Sequence, residues 1–179
     1  MENIQIIFLS ALLITAASID MRSHKIPNIV TYPSILIALT YNSVANGTEG
    51  LLFSAAGIGV GTGILIIPYL MGGMGAGDAK LMGAIGGFLG AKAVFFAFLL
   101  TAAVGGVYAL IIVIIYRSKF RGFFRRQFDT LVSFILTRKY CPDTEKIVKN
   151  RPRLCYGLAI ALGTGLYIIL ESSGYKFFS

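Results

Sequence analysis

The chain has 179 residues, of which 56% are hydrophobic and only 13% charged, with 21 glycines and no tryptophan, and its mean hydropathy is +0.77. So few charges could not cover the surface of a folded soluble globule of this length, which excludes an ordinary soluble domain and points to burial in a bilayer. The net charge of +8 would suit nucleic acid, but no recognisable nucleic-acid module accompanies it, and nucleic acid is not an expected partner.

A hydrocarbon core of roughly 30 Å is crossed by about 20 apolar helical residues. Six runs approach that length: Ile4–Ile19, Ile29–Ala45, Leu51–Met71, Ala79–Gly90, Ala93–Tyr116 and Leu154–Leu170. Pro33 and Pro68 are tolerable inside such helices, where neighbouring helices satisfy the freed carbonyls. The first run resembles a signal peptide in its Ala16-Ala17-Ser18, but Glu2 precedes it and its positive charges follow it, so an uncleaved first helix is expected. The fourth run is short, bounded by Asp78 and Lys92. The expected fold is therefore an all-α membrane protein, a six-helix bundle forming a single domain over residues 1–179, with a glycine-rich loop before the fourth helix.

Basic residues give the orientation, because short loops rich in Lys and Arg stay cytoplasmic. With both termini outside, fourteen of the sixteen Lys and Arg residues fall inside and only Lys92 and Lys176 outside. Glu2, Glu49 and Glu171 then lie on the outer side, whereas Asp20 and Asp78 arrive together at the inner face. Most of the charge sits in a basic cytoplasmic loop at 117–153. Within it Phe124, Phe128, Leu131 and Ile135 recur at helical spacing, which predicts an amphipathic helix on anionic lipid headgroups. Cys141 and Cys155 match no zinc or redox spacing, and His24 is the sole histidine. No metal and no cofactor are expected; His24 is read as a solvated loop residue.

Small residues four apart form two stripes, Ala55, Gly59 and Gly63 on the third run and Ala79, Gly83, Gly87 and Ala91 on the fourth, each suited to close helix packing in lipid. The segment GGMGAGD, residues 72–78, differs from these. Its four glycines hold a helix poorly, and exposed backbone at a membrane edge is tolerated where it lines a wet cavity or is buried in protein. It spells neither a dinucleotide-binding nor a phosphate-loop motif.

Asp78 closes that segment where the next helix begins, a position at which the helix dipole favours an anion. Ionisable residues at membrane depth are costly and usually functional, and Asp20 lies at the same face. Two carboxyl groups brought together cannot both ionise easily, so they share a proton, as in aspartic proteases. One alternative is a proton- or cation-coupled transporter in which Asp20 and Asp78 bind the ion and the broken segment forms its site.

Gly75-Ala76-Gly77-Asp78-Ala79-Lys80-Leu81 resembles the GxGDxKL motif of prepilin peptidases, which are membrane aspartic proteases. Asp20 followed by Ile26-Pro27-Asn28 resembles the family's first catalytic aspartate and its IPN, and Tyr156-Gly157-Leu158-Ala159-Ile160-Ala161-Leu162-Gly163 resembles its last-helix motif. The resemblance implies catalytic Asp20 and Asp78, and cleavage of a basic leader from type IV pilin-like precursors at the cytoplasmic face of the bacterial inner membrane. It also implies that Gly75 and Gly77 shape the loop for Asp78. Longer members carry an insert with four cysteines and methylate the new N-terminus; lacking paired CxxC motifs, this chain resembles the short Tad/Flp-pilus type, and cleavage without methylation is expected. A protease for archaeal flagellin-like precursors shares the same dyad. For Lys80 the expectation is a charge directed away from the dyad towards headgroups or substrate, and for Asn28 a mainly structural role at the start of a helix.

Overall fold

The computed structural model describes residues 3–23, 25–70, 74–115 and 155–173. His24, Gly72, Gly73, Cys141, Lys176 and the basic loop at 117–153 with its expected amphipathic helix lie outside the described residues. Those described form four helices and no strand: α1 (Asn3–Ser23), α2 (Asn28–Leu70), α3 (Ala76–Ile115) and α4 (Tyr156–Ser172). Residues 1–106 and 155–179 group into one compact unit and 107–154 into a second, of which only 107–115, the end of α3, are described.

The helices are apolar on every side, as helices in lipid must be. On α1, Leu9, Leu12, Leu13, Ala16 and Asp20 are buried at helical spacing, while Ile7, Ile14 and Met21 stand exposed on another face. The buried side of α1 packs on α4 and touches α2. Three helical stretches, Ile4–Ser23, Asn28–Leu70 and Ala76–Ile111, are long and apolar enough to cross a membrane, and Tyr156–Ser172 is a shorter apolar helix.

Both long helices are broken near their middle. In α2 the helical conformation fails at Asn46 (φ −130°, ψ 15°) and Gly47 (φ 60°, ψ −136°). A straight helix would hold residues 38 and 54 about 24 Å apart, yet the Ser54 hydroxyl donates to the Ala38 carbonyl at 3.3 Å. The two limbs of α2 therefore run back along each other. In α3 the break is Gly90 (φ 82°, ψ 171°), a conformation accessible almost only to glycine. The expected second and third runs lie on the two limbs of α2, and the fourth and fifth on the two limbs of α3.

Residues 81–90, in the first limb of α3, are all buried. This limb is short and rich in glycine because it packs against other helices. Gly57 and Gly86 meet backbone to backbone, Gly61 lies on the Met82 carbonyl and Gly83 on the Thr62 hydroxyl. The expected stripe on α3 is the one used: Ala79, Gly83 and Gly87 are buried and Ala91 is half-buried. The expected stripe on α2 is not. Ala55, Gly59 and Gly63 are exposed, and Gly59 and Gly63 have no neighbour within 4 Å of an added Cβ. Glycine at every second position supplies two stripes, and the buried one is that which Ser54 and Leu65 extend into the core.

A polar knot ties these limbs together. The Asn42 amide donates towards the Gly87 carbonyl at 3.1 Å and the Ser54 hydroxyl at 2.9 Å, and accepts from Gln5 of α1 at 3.2 Å. Ser54 also donates to the Gly87 carbonyl at 2.8 Å. Because the helix breaks at Gly90, Gly87 is among the last carbonyls of its limb, those left without an intrahelical donor. Asn42 and Ser54 supply what the break removes.

Candidate active site

Asp20 lies in the last turn of α1 and Asp78 in the first turn of α3; both are buried, at 4% and 7% exposure. Burying a carboxyl group in apolar surroundings is costly without hydrogen-bond donors, and each has a backbone N–H. Gly157, in the first turn of α4, donates to Asp20 Oδ2 at 2.9 Å. Gly75 donates to Asp78 Oδ2 at 3.1 Å, while the Asp78 N–H donates to the Gly75 carbonyl at 3.1 Å.

The second pair explains where α3 begins. Gly75 takes the N-cap position and Asp78, three residues on, reaches back to its N–H, the reciprocal half of a capping box. The glycine-rich loop is consequently shorter than expected. Gly75 lies outside regular helix, but Ala76 and Gly77 belong to α3, because the Asp78 side chain closes a turn that two glycines would leave open.

Three elements meet at the carboxyl groups. Asp20 and Asp78 are close enough for their charges to interact, Tyr156 is within electrostatic reach of Asp78, and Cys155 of Asp20. Gly157 closes this corner sterically: a Cβ there would stand 2.9 Å from Asp20 Cβ and 3.0 Å from its Cγ and Oδ2. Sequence reasoning singled out Tyr156-Gly157 as a motif but did not place it on Asp20.

The connector after α1 is fixed to α3 on both sides of Asp78. A Cβ on Gly77 would meet the Ile26 carbonyl oxygen at 2.8 Å, so the connector lies directly on the backbone before Asp78. Two residues beyond Asp78, Lys80 Nζ donates to Asn28 Oδ1 at 2.9 Å and sits 4.9 Å from the centre of the Tyr32 ring. Lys80, expected to direct its charge away from the dyad towards headgroups or substrate, is held at the start of α2, which lies beside the start of α3 and supplies both an amide oxygen and a ring face. Asn28, the first residue of α2, accepts this hydrogen bond through its side-chain amide oxygen. Among the described residues, no group of three His, Cys, Asp or Glu side chains is placed to hold a metal ion.

A model of the type IV leader peptidase family matches residues 7–110, a span that contains Asp20, the connector and residues 72–78. No curated protein and no solved structure matches the chain.

Proposed function

The chain belongs to the type IV leader peptidase family, and from that premise we propose that it is an aspartic endopeptidase that removes the basic leader of type IV pilin-like precursors, with Asp20 and Asp78 as its catalytic pair. Support comes chiefly from two buried carboxyl groups, far apart in the matched sequence, that lie close enough for their charges to interact and each have a backbone donor. Two such groups retain one proton between them. The ionised member takes a proton from water as the water oxygen attacks the scissile carbonyl carbon, and the protonated member donates to the carbonyl oxygen, giving a gem-diol. Collapse breaks the C–N bond as the nitrogen receives a proton, releasing the leader's carboxylate and the pilin's new amino terminus.

Six crossings with both termini outside would place the pair at the cytoplasmic face of the bacterial inner membrane, where precursors still carry their leaders. The glycine-rich approach to Asp78 would let an extended cleavage segment come close to the backbone there, much as strand addition holds a peptide. The chain contains only Cys141 and Cys155, without paired CxxC motifs, and cleavage proceeds without N-methylation. The transporter reading calls for a site near mid-membrane, whereas the proposed topology puts Asp20 and Asp78 at one face.

Co-expression with pilin-like precursors, read as a mobility shift, tests the assignment. Asp20→Ala and Asp78→Ala each abolish processing while the protein stays in the membrane. Asp20→Asn and Asp78→Asn do the same with size retained, and Asp78→Asn also keeps an oxygen to cap α3. Processing by any of the four overturns the assignment.

A further inference from the structure

Asp20 and Asp78 reach one another from different helices, so the catalytic geometry depends on what holds the end of α1 and the start of α3 in register. The chain that leaves Asp20 grips α3 on both flanks of Asp78. One residue before it, Gly77 lies against Ile26, where a Cβ would stand 2.8 Å from the Ile26 carbonyl oxygen and 3.0 Å from its Cβ. Two residues after it, the Lys80 ammonium donates to Asn28 Oδ1 at 2.9 Å, 4.9 Å from the centre of the Tyr32 ring. Asn28 follows Asp20 by only eight positions, whereas its bond to Lys80 spans 52.

The two grips resist different motions. Contact at Gly77 sets how closely the connector and α3 approach. A side chain reaching outwards resists rotation instead, and Lys80 leaves α3 about 200° around from Asp78. A helix with its side chains is about 10–12 Å across, so turning the start of α3 by about 10° carries the Asp78 carboxyl through about 1 Å. The bond from the Gly75 N–H to Asp78 does not oppose this turning, because both partners lie within the same turn. We propose that Lys80 and Asn28 are positioning residues, a clamp between α2 and α3 that fixes the rotation of Asp78 towards Asp20, with the Tyr32 ring keeping the ammonium in place. Its effect on rate rests on the peptidase reading; the clamp itself does not.

Purified full-length protein in detergent is assayed on a pilin-like precursor that co-expression shows to be processed. Lys80→Met and Asn28→Leu each lower kcat by about 10- to 100-fold and leave KM little changed. The double variant falls no further than either single one, because both act through one bond. Lys80→Arg and Asn28→Asp, which keep a donor and an acceptor, retain most of the rate. A second readout needs no substrate: nitroxides are attached at Met21→Cys and Ala76→Cys, both exposed positions, in a Cys141→Ser/Cys155→Ser background. Their spin–spin coupling reports one narrow separation, which broadens in Lys80→Met. Unchanged kcat in Lys80→Met, losses that add in the double variant, or a separation that stays narrow in Lys80→Met overturns the clamp. A wild-type protein that cleaves nothing, with the nitroxide response as expected, overturns the peptidase reading and supports the clamp.

Discussion

Gly157 acts on Asp20 twice, through its N–H at 2.9 Å and through the space its missing side chain leaves. In Gly157→Ala the new methyl carbon stands 2.9–3.0 Å from Cβ, Cγ and Oδ2 of Asp20, too close for an ordinary contact, so one of the two must move. On the proposed catalytic role of Asp20, a displacement approaching 1 Å lowers turnover by up to about 100-fold, so single-turnover cleavage of a precursor in isolated membranes is expected to fall by up to that order. Gly165→Ala, one further step along the same helix in open space, leaves the rate unchanged; equal loss in both variants would mean that α4 matters for its helix alone. The contrast also marks what was legible. Asp20 and Asp78 stand out because carboxyl groups are expensive at membrane depth. The contact between Gly157 and Asp20 joins residues 137 positions apart, and no periodicity in the chain announces it. Asp78 was legible as a helix start, but its local bond back to Gly75, which draws Ala76 and Gly77 into α3, was concealed by glycine's weak helix propensity.

For the helical elements, the alternating glycines of α2 show how a correct principle leaves the choice of face open. The small residues do carry the packing, as expected in lipid. Gly57 and Gly61 meet α3, whereas Gly59 and Gly63 face away. Local spacing treats the two pairs alike; what decides is the company each keeps, since Ser54 lies on the Gly57 side and its hydroxyl is drawn to the carbonyl that the Gly90 break exposes. Gly57→Ala drives a methyl group into the Gly86 carbonyl, and overpacking of this kind costs about 1–3 kcal/mol, read as a lower thermal midpoint in detergent. Gly59→Ala meets nothing and changes the midpoint little or raises it slightly. Loss of stability in Gly59→Ala equal to that in Gly57→Ala would place the helix contact on the other face. The bends themselves were legible as gaps between apolar runs, and glycine marks both, Gly47 and Gly90 having positive φ.

On the scale of the whole molecule, run length and the placement of Lys and Arg carried most of the reading, while the central position of the first limb of α3 did not show, because a short run of glycine and alanine looks like a weak span until its neighbours cover it. Helix length bears on the proposed number of crossings. A helix of 43 residues, the extent of α2, would be about 65 Å long if straight, roughly twice the thickness of a hydrocarbon core. One crossing cannot use it, but two limbs folded back on each other can, and the same holds for the 40 residues of α3. On the proposed topology α2 and α3 cross twice each and α1 and α4 once each, six in all, and the two crossings of α2 that separate Asp20 from Asp78 place both on one side. Fusions to alkaline phosphatase, which is active only outside the cytoplasm, test this. A fusion after Gly47 or Ala91 should be active, and one after Lys25 or within 117–153 inactive. If α2 and α3 instead each crossed once, Gly47 and Gly90 would lie at mid-membrane and Asp20 and Asp78 at opposite faces. Inactive fusions at 47 and 91 would then remove the common aqueous pocket on which proton sharing depends.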